Sequence, residues 1–476
     1  MLYTPDLYSP SASPIYIALY EAIKRDIIGG KLAPNDRLPS IRVLANHLSI
    51  STTPVETAYQ QLLAEGFIEN LPRRGYYVTH LPDSYGKLAL EEYRRSDSNV
   101  IAAGVADTEY AFDFHMAKND FTHFPVDTWK RLLNHTLREE YNELLFYGDP
   151  QGESGLRDEL TAYLGRFRGV VCRKEQIVIG AEQHLLMNYL AVMLRNHSSG
   201  IAVENPCYPL IPSTFQAQGY ELFSLTDADK GISIEKLTRT TARIVAVSPS
   251  HQFPNGRVMP FHERIALLEW AKANQAYIVE DDYGGELRYH GQPVPALQGL
   301  DPTANVVYVG GFSQILAPDI CIHYLVLPET LIEPFHHIRR RLMFELSSSR
   351  IYQRTLQRFM AQGYFEKHVR KMRNLYRRKN RVLADALDAR FRGKGVVING
   401  ETGLHLILKL RTSQSEQEMV AAVRPYGIRV AAASPFYAGG KPQPRERHFI
   451  IGFGGIALER IEEGVGLLRE LWDPYL

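Results

Sequence analysis

Over residues 12–80, apolar positions recur at the spacing of helices packed face to face. Tyr16, Leu19, Tyr20, Ile23 and Ile27 fall on one helical face, and Gly29-Gly30 ends that helix. Ser40 stands where it caps a second helix with Ile41, Leu44, Ala45 and Leu48 turned inward. Ser51 is placed to cap a third, which runs to about Glu65 and buries Val55, Ala58, Tyr59 and Leu62. Gly66 stops it. Two short strand-like runs follow, 67–69 and 75–78, and the turn between them carries Arg73-Arg74-Gly75. A helix, a helix-turn-helix and a hairpin with a basic tip make a winged helix-turn-helix. That arrangement predicts a third helix in the major groove of double-stranded DNA, with the wing against the flanking backbone or minor groove.

Periodicity lapses over 81–110, where Leu81-Pro-Asp-Ser-Tyr-Gly86 and Arg94-Arg-Ser-Asp-Ser-Asn99 are polar and turn-rich, apart from a short turn around 88–93. The segment reads as a linker of roughly 25–30 residues that lets the small domain reorient. From 111 onward β-branched runs (177–179, 201–203, 244–247, 277–279, 306–309 and 324–327) alternate with helical stretches (156–167, 182–194, 261–274 and 352–391). The alternation predicts an α/β domain on a mostly parallel sheet over 111–476, with a smaller α+β lobe from about 397.

Composition narrows the function classes. A length of 476 residues suits two or three domains, and 45% hydrophobic with 22% charged residues is an ordinary globular balance. The net charge of +1 gives no overall bias toward nucleic acid, and residues 1–80 balance seven Lys/Arg against seven Asp/Glu, so placement has to carry any DNA contact. Three scattered cysteines, Cys172, Cys207 and Cys321, form no C-x-x-C pair, which predicts no disulfide framework and no metal site. The first residues lack the pattern of a signal peptide and no run of eighteen apolar residues occurs, so a cytoplasmic protein without membrane contact is expected.

Wording adds to pattern. Asp36-Arg-Leu-Pro-Ser-Ile-Arg42, Ala58-Tyr-Gln-Gln-Leu62 and Glu65-Gly-Phe-Ile68 resemble the GntR family of bacterial regulators across nearly all of 12–80. The resemblance implies that Arg37, Arg42, Arg73 and Arg74 face phosphate, with Ser40 as a hydroxyl donor, and that Ser51, Thr52, Thr53 and Thr57 face the groove. Many relatives carry arginine at the positions of Thr52 and Glu56, which points to a different operator here.

Four further motifs lie in order: Tyr147-Gly-Asp-Pro-Gln-Gly-Glu153, Val203-Glu-Asn-Pro-Cys-Tyr-Pro209, Ser248-Pro-Ser-His-Gln-Phe-Pro-Asn-Gly256 and Val279-Glu-Asp-Asp-Tyr283. Together they resemble the MocR subfamily, in which a GntR-type winged helix is fused to a fold-type I, aspartate aminotransferase-like domain. The segment Tyr308-Val-Gly-Gly-Phe-Ser-Gln-Ile-Leu-Ala-Pro-Asp-Ile-Cys-Ile-His-Tyr324 is similar to the Ser-Lys-x-Leu-x-Pro-x-x-Arg-x-Gly signature of pyridoxal-phosphate (PLP) aminotransferases. Gln314 stands at the Schiff-base lysine, Cys321 at the arginine that pairs with the cofactor phosphate, and His323 at the glycine. An amide nitrogen cannot bond the cofactor aldehyde, because its lone pair is delocalised into the carbonyl.

The rest of the resemblance implies a degenerate cofactor pocket. Asp281 matches the carboxylate on the pyridine nitrogen and Tyr283 the phenol on the ring hydroxyl. Tyr208 falls where an aromatic ring stacks, Gln252 where a polar side chain approaches the ring, and Ser313 beside Gln314. Ala181 and Glu182, in Gly180-Ala-Glu-Gln183, open a helix whose free amides suit a phosphate, although relatives often have a hydroxyl where Ala181 stands. Arg447, in Arg445-Glu-Arg-His-Phe-Ile-Ile-Gly-Phe-Gly-Gly455, is the nearest arginine for a substrate carboxylate, since strict register puts that residue at Ile450. The resemblance thus implies a homodimeric regulator, built through the large domain and responding to a small-molecule effector, without covalent PLP. The alternatives are a working PLP aminotransferase, or a regulator holding PLP, another pyridine or an amino acid noncovalently.

Overall fold

The computed structural model describes residues 14–80, 110–227, 231–289, 291, 294–342, 348–398, 402–437 and 446–476. All of the linker expected over 81–110 except Tyr110 lies outside them. The chain forms two compact units, residues 1–108 and 109–476.

In the first unit, α1 (Ile15–Ile28), α2 (Ile41–Leu48) and α3 (Thr52–Ala64) precede a hairpin of β1 (Ile68–Leu71) and β2 (Gly75–Val78). Leu19, Ile23, Leu44, Val55, Tyr59 and Leu62 meet in one buried core, as the helical spacing predicts. Truncating one of these leucines to alanine costs about 2–5 kcal/mol. The Ser40 hydroxyl accepts from the Val43 amide at 3.4 Å, and Ser49, at φ 55°, turns the chain out of α2. Ser51 occupies the N-cap position of α3, yet its side chain makes no capping bond. The expected cap is therefore absent, and the exposed hydroxyl is left for other partners. Gly66, at φ 77°, bends α3 into the hairpin.

The second unit opens with α4 (Val126–Leu144) and α5 (Ser154–Arg168), then β3 (Ile177–Gly180), α6 (Gln183–Leu194), β4 (Gly200–Val203), β5 (Glu221–Ser224), β6 (Ile244–Val247) and α7 (Phe261–Ala273). It continues through β7 (Tyr277–Asp281), β8 (Val306–Gly311), β9 (His323–Val326), α8 (Glu329–Leu342), α9 (Arg350–Ala361) and α10 (Tyr364–Arg390). Seven strands form a sheet of order β3-β9-β8-β7-β6-β4-β5, in which only β9 runs against its neighbours. Helices cover both faces, which is why the strands other than the edge strand β5 read as apolar runs. Along β8 the residues alternate: Tyr308 joins the layer of Tyr163 and Tyr324, while Val307 and Val309 join that of Leu186, Leu190 and Phe335.

The helical region predicted over 352–391 is two helices. Gly363, at φ 73°, separates α9 from α10. The small lobe is a four-stranded antiparallel sheet of β10 (Gly395–Ile398), β11 (His405–Arg411), β13 (Glu446–Gly452) and β12 (Ala431–Ala432), in that order from one edge to the other. α11 (Ile461–Trp472) packs against it, with the Trp472 ring 4.6 Å from that of Phe449. Among the described residues no helix is long and apolar enough to cross a membrane.

Candidate functional site

In a mostly parallel sheet, side chains that follow the C-terminal strand ends share one rim. β7 ends at Asp281, β8 leads to Ser313 and Gln314, and β3 leads through Ala181 and Glu182 into α6. With residues of the small lobe they enclose a cavity of about 220 Å³. Asp281, Tyr283 and Tyr208 line one part of it, and Glu182, Ser313 and His323 another. The small-lobe side is closed by Leu404, His405, His251 and Phe253. Among the described residues that line it, none is a lysine or an arginine.

Each polar wall group has a definable state. Asp281 accepts from Gln183 Nε2 at 3.2 Å. Burial and then the adjacent Asp282 push its carboxyl up to about 7, with the Gln183 amide opposing. Burial raises the Tyr283 phenol to about 12, and the Gln314 amide opposes it. Gln314 Oε1 is buried and lacks a hydrogen-bond partner among the described residues. His323 Nδ1 faces the Ala181 carbonyl at 3.1 Å and its Nε2 faces Ser313 Oγ at 2.9 Å. Burial lowers the His323 pKa against the pull of that carbonyl and of Glu182, so the ring is neutral. A carbonyl only accepts, so Nδ1 holds the proton and Nε2 receives the one from Ser313. Gly311 makes this possible, because a Cβ there would strike the His323 ring.

Two further histidines line the cavity, His251 within the motif at 248–256 and His405 outside every motif, and the resemblance gives neither a role. His251 bonds Thr402, and His405 Nε2 donates to the Pro254 carbonyl at 2.9 Å. Burial, then His405, takes His251 down to about 3, and burial takes His405 down to about 4, so both are neutral. They reach the cavity from opposite lobes, and no local spacing signals such a meeting.

In the small unit, the loop before α2, α2 itself, the start of α3 and the hairpin present the polar set. Arg37, Arg42, Arg73 and Arg74 are exposed, as are Ser51, Thr52 and Thr53. Arg37 forms a bridge with Tyr77 of the hairpin, and a Cβ on Gly75 would lie 3.8 Å from its guanidinium nitrogens. Arg37 thus stands beside the wing whose tip holds Arg73, at φ 65°. Thr57 is half-buried, and its hydroxyl donates to the Thr53 carbonyl at 2.9 Å.

Residues 15–78 match the family of bacterial regulatory proteins known as gntR, and residues 113–453 match aminotransferase class I and II. The chain is 36% identical to the HTH-type transcriptional regulator YdeL of Bacillus subtilis (strain 168), covering 98% of this chain and 99% of that one. It is 30% identical to the probable rhizopine catabolism regulatory protein MocR of Rhizobium meliloti, over 96% of this chain and 93% of that one. The chain belongs to the MocR subfamily of GntR-type transcriptional regulators. Its large domain has the fold of the kynurenine aminotransferase of Pyrococcus horikoshii, with a TM-score of 0.69 at 23% identity over 82% of this chain and 96% of that one.

Several site residues expected of this MocR-type chain fall elsewhere. Gln252 is buried and does not line the cavity; its neighbours His251 and Phe253 do, because Gln252 is drawn into the turn it closes, bridging Arg257 and accepting from the Gly256 amide at 2.7 Å through its backbone. Ala181 contributes its carbonyl to His323 and is not part of the cavity wall. Cys321, at φ 51°, also lies outside the lining, with its thiol toward the Pro318 carbonyl at 3.5 Å. Arg447 is committed to the backbone, donating to the carbonyls of Gln414 at 2.7 Å and Glu446 at 3.0 Å, and it does not reach the cavity. Ile450 is fully buried in a cluster with Ile407 and Ala433, against which Met116, Phe253 and Phe436 pack.

Proposed function

We propose that this regulator binds operator DNA through its winged helix while the aminotransferase-like domain pairs two chains and senses a small molecule without catalysing transamination. Transamination in this fold needs an amine that bonds the cofactor aldehyde and a base that moves the α-proton, and one lysine performs both tasks. The observation that carries the reading is Gln314 in the cavity wall, in a described lining without any lysine. The Lys272 amine, another primary amine of this domain, is paired with Asp301.

Pyridoxal phosphate fits this cavity at one end only. Asp281, Tyr283 and Tyr208 suit a pyridine ring. The phosphate end offers His323, whose nitrogens are both engaged, and the Glu182 carboxylate, with no guanidinium in the described lining. The residues present therefore do not fit the whole cofactor, and the domain works without covalent PLP.

Two measurements test this reading. Incubation with PLP, then borohydride reduction and dialysis, is expected to leave no cofactor on the chain; a trapped adduct would overturn catalytic inactivity. Gel-shift assays with the chain's own upstream region are expected to show a complex that survives competitor DNA at moderate salt. Without such a complex, the assignment of an operator-binding role fails.

A further inference from the structure

The cavity wall is rich in acceptors. Asp281 and Glu182 bring carboxylates, and Ser313, having given its proton to His323, turns only lone pairs outward. Glu182 is also the residue at the N-cap of α6, so a carboxylate stands at the helix end that would otherwise favour an anion. His251, His405 and His323 add no positive charge in their neutral forms. An anionic group would meet acceptors there, whereas an ammonium group, with N–H donors and no acceptor, satisfies them.

The remainder of the cavity is aromatic and apolar. Tyr208 and Tyr283 are about half exposed, at 47% and 48%, so their rings are free to receive a flat body. Toward the small lobe, Phe253 and Met116 line the wall and pack on Ile450, where a carboxylate-binding arginine would be expected. A volume of about 220 Å³ is small beside the roughly 300–1,000 Å³ of drug-sized sites.

We propose that the effector is a small aralkyl amine, carrying an ammonium group on an aromatic body and neither a phosphate nor a carboxylate. The ammonium meets the carboxylates of Asp281 and Glu182, and the aromatic body lies against Tyr208 and Tyr283, where cation–π attraction adds to stacking. This deepens the effector-sensing reading and rests on it.

The test is calorimetric titration of the full chain at about pH 8, above the Asp281 value of about 7, with four probes: phenethylamine, phenylalanine, pyridoxamine and PLP. Phenethylamine and pyridoxamine are expected to saturate. Phenylalanine adds a carboxylate to the phenethylamine framework, and PLP adds a phosphate to the pyridine body and carries an aldehyde in place of the amine; both are expected to bind at least about tenfold more weakly, the weight of one charge-assisted contact. Asp281→Asn, which keeps the shape of the side chain, is expected to weaken phenethylamine by about tenfold or more, and Glu182→Gln, at the rim, by severalfold. PLP or phenylalanine binding as tightly as its amine counterpart overturns the proposal and leaves effector sensing intact. So does an Asp281→Asn chain that folds and binds phenethylamine unchanged, or, if that variant does not fold, an unaffected Glu182→Gln chain. If none of the four probes saturates, both this proposal and the effector-sensing reading fall.

Discussion

Arg168 grips Asp282 with two parallel hydrogen bonds, Nε to Oδ2 at 2.6 Å and Nη2 to Oδ1 at 2.7 Å, and both side chains are 2% exposed. Tyr308 donates to the same carboxylate, and the remaining guanidinium donors reach Ser250 Oγ and the Gly285 carbonyl. The pair ties α5 to the chain one residue beyond Asp281, and so fixes the backbone that aims the cavity's carboxylate. Removing one partner leaves the other charged and buried. Arg168→Met is therefore expected to lower the stability of the large domain by about 3–5 kcal/mol, measured as a shift in its chemical unfolding midpoint. A loss below about 1 kcal/mol would mean that water or a neighbour compensates the carboxylate.

The Asp281 carboxyl sets a pH dependence of opposite sense to an ordinary ion pair. Its folded pKa is about 7, raised by burial and by Asp282, whereas an unfolded aspartate titrates near about 3.9. Between those values the folded chain holds a proton that the unfolded chain releases. Stability is therefore present below about 4 and lost as pH climbs toward 7. Glu204 and Glu280, each pushed up to about 7 by burial, contribute slopes of the same sign. Asp281→Asn removes one share of that slope. It is expected to raise the unfolding free energy at pH 8 by about 1–2 kcal/mol and to change it little at pH 4. A variant less stable than the parent at pH 8 would contradict the assignment.

Legibility followed burial and locality. The three helices and the hairpin of the small unit could be read because each buries one face at a regular spacing. Six of the seven sheet strands were legible as apolar runs. The edge strand β5 was not, because Glu221 and Ser224 at its ends are exposed and polar and only Leu222 and Phe223 between them are half-buried, which leaves no such run. Helix α4 escaped because its sequence is dominated by charged and polar side chains, with Trp129, Leu132, Thr136 and Leu144 as its buried positions. At the site, Asp281, Tyr283, Tyr208 and Gln314 reached the cavity as the motifs implied. Gln252 did not, since resemblance gives a position along the chain and not the side to which a residue points. The neutral His251 and His405 could not be anticipated, because their pairing exists only once two lobes close on each other.

Restoring the amine alone is expected to be insufficient for cofactor binding. Gln314→Lys supplies a primary amine next to Tyr283, but the phosphate end still presents His323 and lacks a guanidinium. Adding Cys321→Arg and His323→Gly supplies a bidentate partner and clears the ring, and a charge-assisted contact of that kind is worth about 1.5–3 kcal/mol. The triple variant should therefore give a borohydride-trapped PLP adduct at concentrations at least about tenfold lower than Gln314→Lys requires, as read by absorbance and intact mass. Equal trapping by the single variant would show that the phosphate end was never limiting.

On the DNA side, the proposed contacts divide into positioning and reading residues. Arg37, Arg73 and Arg74 are exposed around the wing, so each alanine substitution is expected to weaken all DNA sequences alike. Each lost phosphate contact should also make the salt dependence shallower by about 0.9 in log–log slope. Thr52 and Thr53 lie exposed in the first turn of α3, the helix proposed to enter the major groove, so their replacement by alanine should change which operator is preferred. Thr57 is different. Its hydroxyl is already spent on the Thr53 carbonyl, so it has no free proton to give a base. Thr57→Ala should thus leave sequence preference nearly unchanged, by fluorescence anisotropy across a panel of operator variants. A preference shift as large as that of Thr53→Ala would mean that the hydroxyl rotates away from the helix on binding DNA, and that Thr57 belongs with the reading residues after all.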